Sequence, residues 1–138
     1  IIFQNSFLTI INDSKSTSFS SSIGILKMNS SIYWLLGGIY KKGDKLDLPK
    51  KYFNNIKAFV FGKNKKFFNK QLKGKIEYQN FDSLNQALKK IFLDIKRNKI
   101  INKTILFSPS AASFDSFKNF EERGLYFNTL VKNYLNGI

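Results

Sequence analysis

Short apolar runs alternate with stretches of helical period along this 138-residue chain, and that alternation restricts the fold more than any other feature. The runs "SIYWLL", "KAFVF", "KIEY" and "KTILF" have the length and β-branched or aromatic content of strands. Between them lie stretches that repeat every three to four residues. Phe19, Ile23 and Leu26 share one face, and "NKKFFNKQL" reads as a short helix. From Phe81 to Asn98, the residues Leu84, Ala87, Leu88, Ile91, Phe92 and Ile95 form an apolar stripe, with Asp82 or Ser83 available as cap. Phe127, Leu130, Val131, Tyr134 and Leu135 mark a closing helix, with Gly137 as its stop. Strand–helix alternation predicts βαβ units and a mostly parallel sheet covered on both faces. At the start, "IIFQ" and "FLTII" flank Asn5-Ser6, which predicts a two-residue hairpin turn and an antiparallel edge strand. The expectation is a single α/β domain over 1–138: three layers, with a sheet of about six strands.

Such a sheet places its ligands beyond the carboxyl ends of the strands. Here those ends carry "NDSKST", "GGIYKKGD", "GKNKK" and "SPSAAS". Small residues let backbone N–H groups approach a ligand, and lysine supplies a point charge. The edge is therefore expected to hold a small anion. In "NDSKSTS", Lys15 and Thr17 can meet an anion while the next helix adds its positive end, or the hydroxyls can simply cap that helix. Gly37-Gly38 fits close backbone approach to a ligand or a plain turn. Ser108, Ser110 and Ser113 can bond their own backbone, and Phe117 and Phe120 read first as core.

Composition removes several chemistries. The chain has no Cys and no His, so disulfides, thiol nucleophiles, histidine bases and ordinary zinc sites are excluded. There is no GxxxxGK[ST] loop and no GxSxG elbow. Asp13, Asp44 and Asp115 are scattered among lysines and show no paired-carboxylate pattern. The net charge of +14 raises the alternative of a basic nucleic-acid-binding module. Against it, the positive residues are almost all Lys, with only Arg97 and Arg123, and they are dispersed. Pairs such as Lys41-Lys42, Lys50-Lys51 and Lys65-Lys66 read as solvated faces, so no nucleic-acid partner is expected. Apolar runs fall short of the roughly 20 residues of a membrane span, and no membrane partner is expected. The opening "IIFQNSF" has neither Met nor a basic segment, and reads as a cut from a longer chain without a signal peptide.

Three segments together carry a resemblance: "INDSKST", "WLLGG" and "LFSPSAASFDSFKNFEERG". In order and spacing they resemble the C-terminal domain of the Mur ligases, specifically the D-glutamate-adding branch. Its patterns are NDSKATN, a GG loop with a lysine, and SPxxxSxDxFxxFExRG. The last is matched from Ser108 to Gly124, and the resemblance spans essentially the whole chain. It implies a Rossmann-like fold for this domain of a three-domain cytoplasmic ligase, expected to be a monomer, whose N-terminal UDP-binding and central ATPase domains are absent here. It also implies ATP and Mg2+ as cofactors of the whole enzyme, with UDP-N-acetylmuramoyl-L-alanine and D-glutamate as substrates. By motif, Thr17, Lys41, Ser113 and Phe120 would contact D-glutamate, and Lys42 is the alternative to Lys41. Asp13 and Lys15 would face the nucleotide and phosphate. No catalytic residue and no metal ligand is implied on this segment. Ser16 and Ser18 depart from the family's Ala and Asn, and "GGIYKKGD" departs from GGxDKG.

Overall fold

The computed structural model describes residues 1–28, 30–97, 102–112 and 117–136. Six strands form one sheet in the spatial order β1-β2-β6-β3-β4-β5. They are β1 (Phe3–Gln4), β2 (Leu8–Asn12), β3 (Ser31–Leu36), β4 (Ile56–Phe61), β5 (Glu77–Phe81) and β6 (Lys103–Phe107). β1 pairs antiparallel with β2, and every other pairing is parallel. Among the described residues, four helices cover the sheet: α1 (Phe19–Leu26), α2 (Lys65–Leu72), α3 (Leu84–Arg97) and α4 (Phe120–Leu135). A short 3-10 helix, Lys50–Asn55, leads into β4. The expected α/β architecture with its antiparallel edge is the one observed.

Strand alternation sorts the core into two layers. Tyr33 and Leu35 of β3 join Phe59, Phe61, Ile105 and Phe107 under α3 and α4. Ile32, Trp34 and Leu36 of the same strand point the other way, joining Ala58, Val60 and Leu106 with Phe19, Phe68 and Leu72 of α1 and α2. Central β3 is therefore buried on both faces, which is why "SIYWLL" shows an unbroken apolar run. Edge strand β5, "EYQNF", is polar and largely exposed.

Several boundaries move. β5 runs to Phe81, so the helix starts at Leu84 rather than Phe81. Ser83 is its cap, accepting from Gln86 N at 3.2 Å, while Asp82 pairs instead with Lys65 at 3.3 Å. Lys65 is thus not merely solvated. In the hairpin, Asn5 N donates to Leu8 O, and Asn5 Oδ1 accepts from the amides of Phe7 and Leu8. The turn residues are therefore Ser6-Phe7, one position later than Asn5-Ser6. Asn98 and Gly137 lie outside the described residues.

β6 sits between β2 and β3, but the chain leaves these strands in opposite directions. β2 exits to α1 and β3 to the Leu46–Leu48 segment, both against one face; β6 exits to α4 on the other. The carboxyl end of β6 is therefore flanked by topological switch points, where open sheets form a ligand crevice.

Candidate functional site

Three loop segments meet at that crevice: 13–18 after β2, 37–49 after β3 and 108–112 after β6. Their backbones are stitched together. Gly37 N donates to Pro109 O at 3.1 Å, and Ile39 and Ala112 exchange both backbone hydrogen bonds at 2.9 Å. Glycine is required at the join. A Cβ on Gly38, at φ +128, would lie 2.5 Å from Ala112 O, and one on Gly37 would collide with Phe61 O. The close approach at Gly37-Gly38 is to the chain's own backbone rather than to a ligand.

Beneath the loops lies a buried hydroxyl network. Ser22 Oγ of α1 bonds Ser16 Oγ at 2.6 Å and Ser110 Oγ at 2.7 Å, and also contacts Ser108 Oγ. All four serines are at most 1% exposed. Ser108 Oγ donates to Asp13 Oδ2 at 2.7 Å, and its carbonyl accepts from Trp34 Nε1 at 2.8 Å. Ser110 Oγ does bond nearby backbone, donating to Ser108 O, but Ser108 and Ser110 are the floor of the site rather than plain turn residues. Burial lifts the Asp13 carboxyl above its usual range, and the Ser108 hydroxyl pulls against that by bonding the charged form.

Arg123 closes the other side. Its side chain is buried, and Nη1 donates to Ala111 O at 2.8 Å. Nη2 donates to Ser14 O at 2.7 Å and to Ser16 O at 3.4 Å. One planar guanidinium thus ties the first loop to the third, a geometry its fork of donors suits. Next to it, a Cβ on Gly124 would fall 2.5 Å from Ser14 Oγ. Asn12 completes the seam, donating to Gly124 O at 3.0 Å and to Asn128 Oδ1 at 2.7 Å. The final "RG" of the long motif and the first Asn of "NDSK" are therefore partners in structure. Sequence reasoning missed them as site-building residues; their position inside the motifs was the available signal.

The predicted ligand residues sit on this framework. Lys15, Thr17 and Lys41 are exposed. Among the described residues, none of these three side chains makes a hydrogen bond or an ion pair. Asp13 is half-buried, and Phe120 opens α4, also half-buried. Ser113 and Asp115 lie outside the described residues. The positive end of α1 differs from expectation. Ser18 occupies the cap position without capping, and Phe19 N instead donates to Asp44 Oδ2 of the second loop at 2.9 Å. A carboxylate of the chain itself, rather than a free anion, sits there.

An open groove of about 380 Å³ lies elsewhere, between the carboxyl end of β5 and α3, lined in part by Lys65, Phe81, Asp82 and Leu93. None of the expected site residues lines it. Among the described residues, no three His, Cys, Asp or Glu side chains group as a metal site, and no helix is long and apolar enough to cross a membrane.

No family model matches the chain. Individual relatives do. It is 40% identical to the UDP-N-acetylmuramoylalanine–D-glutamate ligase of Rickettsia felis, over 89% of this chain and 27% of that protein. It is 37% identical to the ligase of the same name from Prochlorococcus marinus (strain MIT 9312), over 97% of this chain and 29% of that protein. With that of Wolbachia pipientis wMel it shares 37% identity over 89% of this chain and 24% of the relative. The chain thus spans roughly a quarter of the length of the curated relatives it matches. Nearly its whole length aligns, at 37–40% identity, with one part of proteins that share the name UDP-N-acetylmuramoylalanine–D-glutamate ligase.

Proposed function

We propose that the chain is the C-terminal domain of an ATP-dependent ligase that joins D-glutamate to UDP-N-acetylmuramoyl-L-alanine in peptidoglycan precursor synthesis. Its role is to position D-glutamate and to close over ATP in a cytoplasmic, monomeric enzyme completed by an N-terminal UDP-binding domain and a central ATPase domain. The observation that carries this reading is the convergence of all three motif segments on the carboxyl end of β6, joined by Arg123, Asp13 and the glycine pair. Residues far apart in sequence are drawn to one edge, where a sheet of this topology binds ligands.

The chemistry asked of the domain is modest. When bound in the whole enzyme, ATP supplies the phosphoryl group that activates the L-alanine carboxylate, with Mg2+ neutralising charge. The amine of D-glutamate, in its neutral form, attacks the acyl phosphate; the amide C–N bond forms, phosphate leaves, and the amine gives up a proton. Thr17 and Lys41, with Ser113 and Phe120, hold the two carboxylates of D-glutamate through charge-assisted hydrogen bonds and contact. Asp13 and Lys15 face the nucleotide and phosphate. Fixing the amine near the acyl carbon lowers the barrier by orientation, which requires a rigid frame under the contacts. The stitched loops are such a frame. Lys15, Thr17 and Lys41, which this reading assigns to ligands, are exposed and make no side-chain hydrogen bond or ion pair among the described residues.

In the full-length enzyme, Lys41→Ala and Thr17→Ala are expected to raise the apparent KM for D-glutamate by about tenfold or more, and that for ATP by less than about twofold. Unchanged D-glutamate kinetics in both variants would refute the assignment. A salt titration of the chain against duplex and single-stranded DNA addresses the competing basic-module reading, which requires tight, strongly salt-dependent binding.

A further inference from the structure

The second loop is tied to Phe19, the residue of α1 that follows the first loop, directly through Asp44 and indirectly through Tyr40 and Phe67. Phe19 opens α1, is fully buried, and follows Thr17 by two positions. Its amide donates to Asp44 Oδ2 at 2.9 Å. Its ring lies 6.1 Å from Phe67, stacked, and Phe67 in turn stacks on Tyr40 with centroids 4.2 Å apart. Tyr40 and Asp44 bracket a tight turn. Asp44 N donates back to Lys41 O at 3.0 Å, and Gly43 has φ +83, the sign a type II turn needs at its third residue. Asp44 Oδ1 also accepts from Lys45 N at 3.0 Å, so both carboxylate oxygens are engaged and the side chain has one working orientation. Lys41 begins this turn.

We propose that Asp44 is a positioning residue for the amino-acid substrate: by capping α1 at Phe19 it fixes the Lys41 turn against the Thr17 loop. This rests on the reading in which Lys41 and Thr17 hold D-glutamate. The arrangement suits the task for three reasons. A carboxylate at a helix N-terminus is held by the exposed amide and by the helix dipole. Phe19 N is the first amide of α1, which a cap side chain at Ser18 would not serve, since caps bond the second or third amide. And an exposed lysine on a loop contributes to affinity only as far as its backbone is held in place, because ordering the loop on binding costs free energy.

The test is a double-mutant cycle in the full-length enzyme: Lys41→Ala, Asp44→Ala and the two together, with Asp44→Asn as the conservative variant, which keeps an acceptor oxygen for Phe19 N. Asp44→Ala is expected to raise the KM for D-glutamate by about five- to tenfold, with kcat and the KM for ATP changed less than about twofold. Asp44→Asn should return to within about threefold of the parent, and Asp44→Ala on the Lys41→Ala background should add less than about twofold. An equal effect of Asp44→Ala in both backgrounds, no effect on D-glutamate KM, or a parallel loss in kcat and both KM values overturns the proposal. If Asp44→Ala does not fold, Asp44→Ser, shorter by one bond, takes its place in the cycle. Failure of Lys41→Ala and Thr17→Ala to move D-glutamate KM instead refutes the functional reading beneath it, so the two failures are distinguishable.

Discussion

Replacing Arg123 with Met removes the guanidinium while keeping an unbranched stem of similar course. Two short hydrogen bonds disappear, to Ala111 O at 2.8 Å and Ser14 O at 2.7 Å, and the 3.4 Å contact to Ser16 O contributes little. Hydrogen bonds from a charged group are each worth roughly 1.5–3 kcal/mol, which sets a gross loss of about 3–6 kcal/mol. Two effects act in opposition. Met no longer has to bring a charge out of water, which returns part of that loss. Ala111, however, is fully buried, and its carbonyl would be left without a donor. The net expectation is a destabilisation of roughly 2–4 kcal/mol. For a chain of this size, 1 kcal/mol corresponds to about 3–5 °C in Tm, so the midpoint should fall by roughly 6–20 °C. Thermal unfolding followed by circular dichroism on the 138-residue chain measures it. Arg123→Lys should recover less than half of the loss, because a single ammonium does not reproduce the fork that reaches two loops at once. A Tm for Arg123→Met within about 2 °C of the parent would show that the loops are held in place without this clamp.

Three further outcomes follow from the same loops. Burial raises the Asp13 carboxyl above its ordinary value, so the folded state binds its proton more tightly than the unfolded state does. Asp13 therefore weakens the fold as pH rises from the ordinary carboxylate value through its raised one, and Asp13→Asn should raise Tm at pH 7 but not at pH 3; an equal effect at both would contradict the sign. Gly38→Ala forces a Cβ to 2.5 Å from the Ala112 carbonyl at φ +128, so urea titration should show a loss of about 2 kcal/mol or more, and a neutral result would refute that packing. Ser22→Ala strips a shared partner from three buried hydroxyls and should cost about 1–3 kcal/mol. Ser18→Ala, at a cap position that does not cap, should stay within about 0.5 kcal/mol; the reverse ranking of these two serines would discount the network.

Local pattern was enough for most of the fold. Short, mostly unbroken apolar runs and period-3.6 stripes are properties of the chain itself, so β3, β4, β6, α3 and α4 could be read from residues alone. The boundary errors fell where local signals are weak. β5 is an edge strand of largely polar residues, and its end at Phe81 is set by pairing with Phe61 of β4 rather than by its own composition. The hairpin turn slipped by one residue because Asn5 serves as the side-chain acceptor of the turn rather than one of its two tip residues.

For the site, the sequence by itself determined which segments matter and which chemistries are ruled out, since absent Cys and His are facts of composition. It also placed those segments at strand ends, because the parallel topology follows from the order of elements. Only the tertiary structure decided what each residue in them does. Ser108, Arg123, Gly124 and Asp44 look like turn, charge or spacer residues along the chain. Their partners are Asp13, Ser14, Ala111 and Phe19, and several of these pairs are separated by a large part of the sequence. A hydrogen bond depends on distance in space, and a single sequence carries no record of which distant residue a side chain will meet until the sheet has placed β2 and β3 on either side of β6.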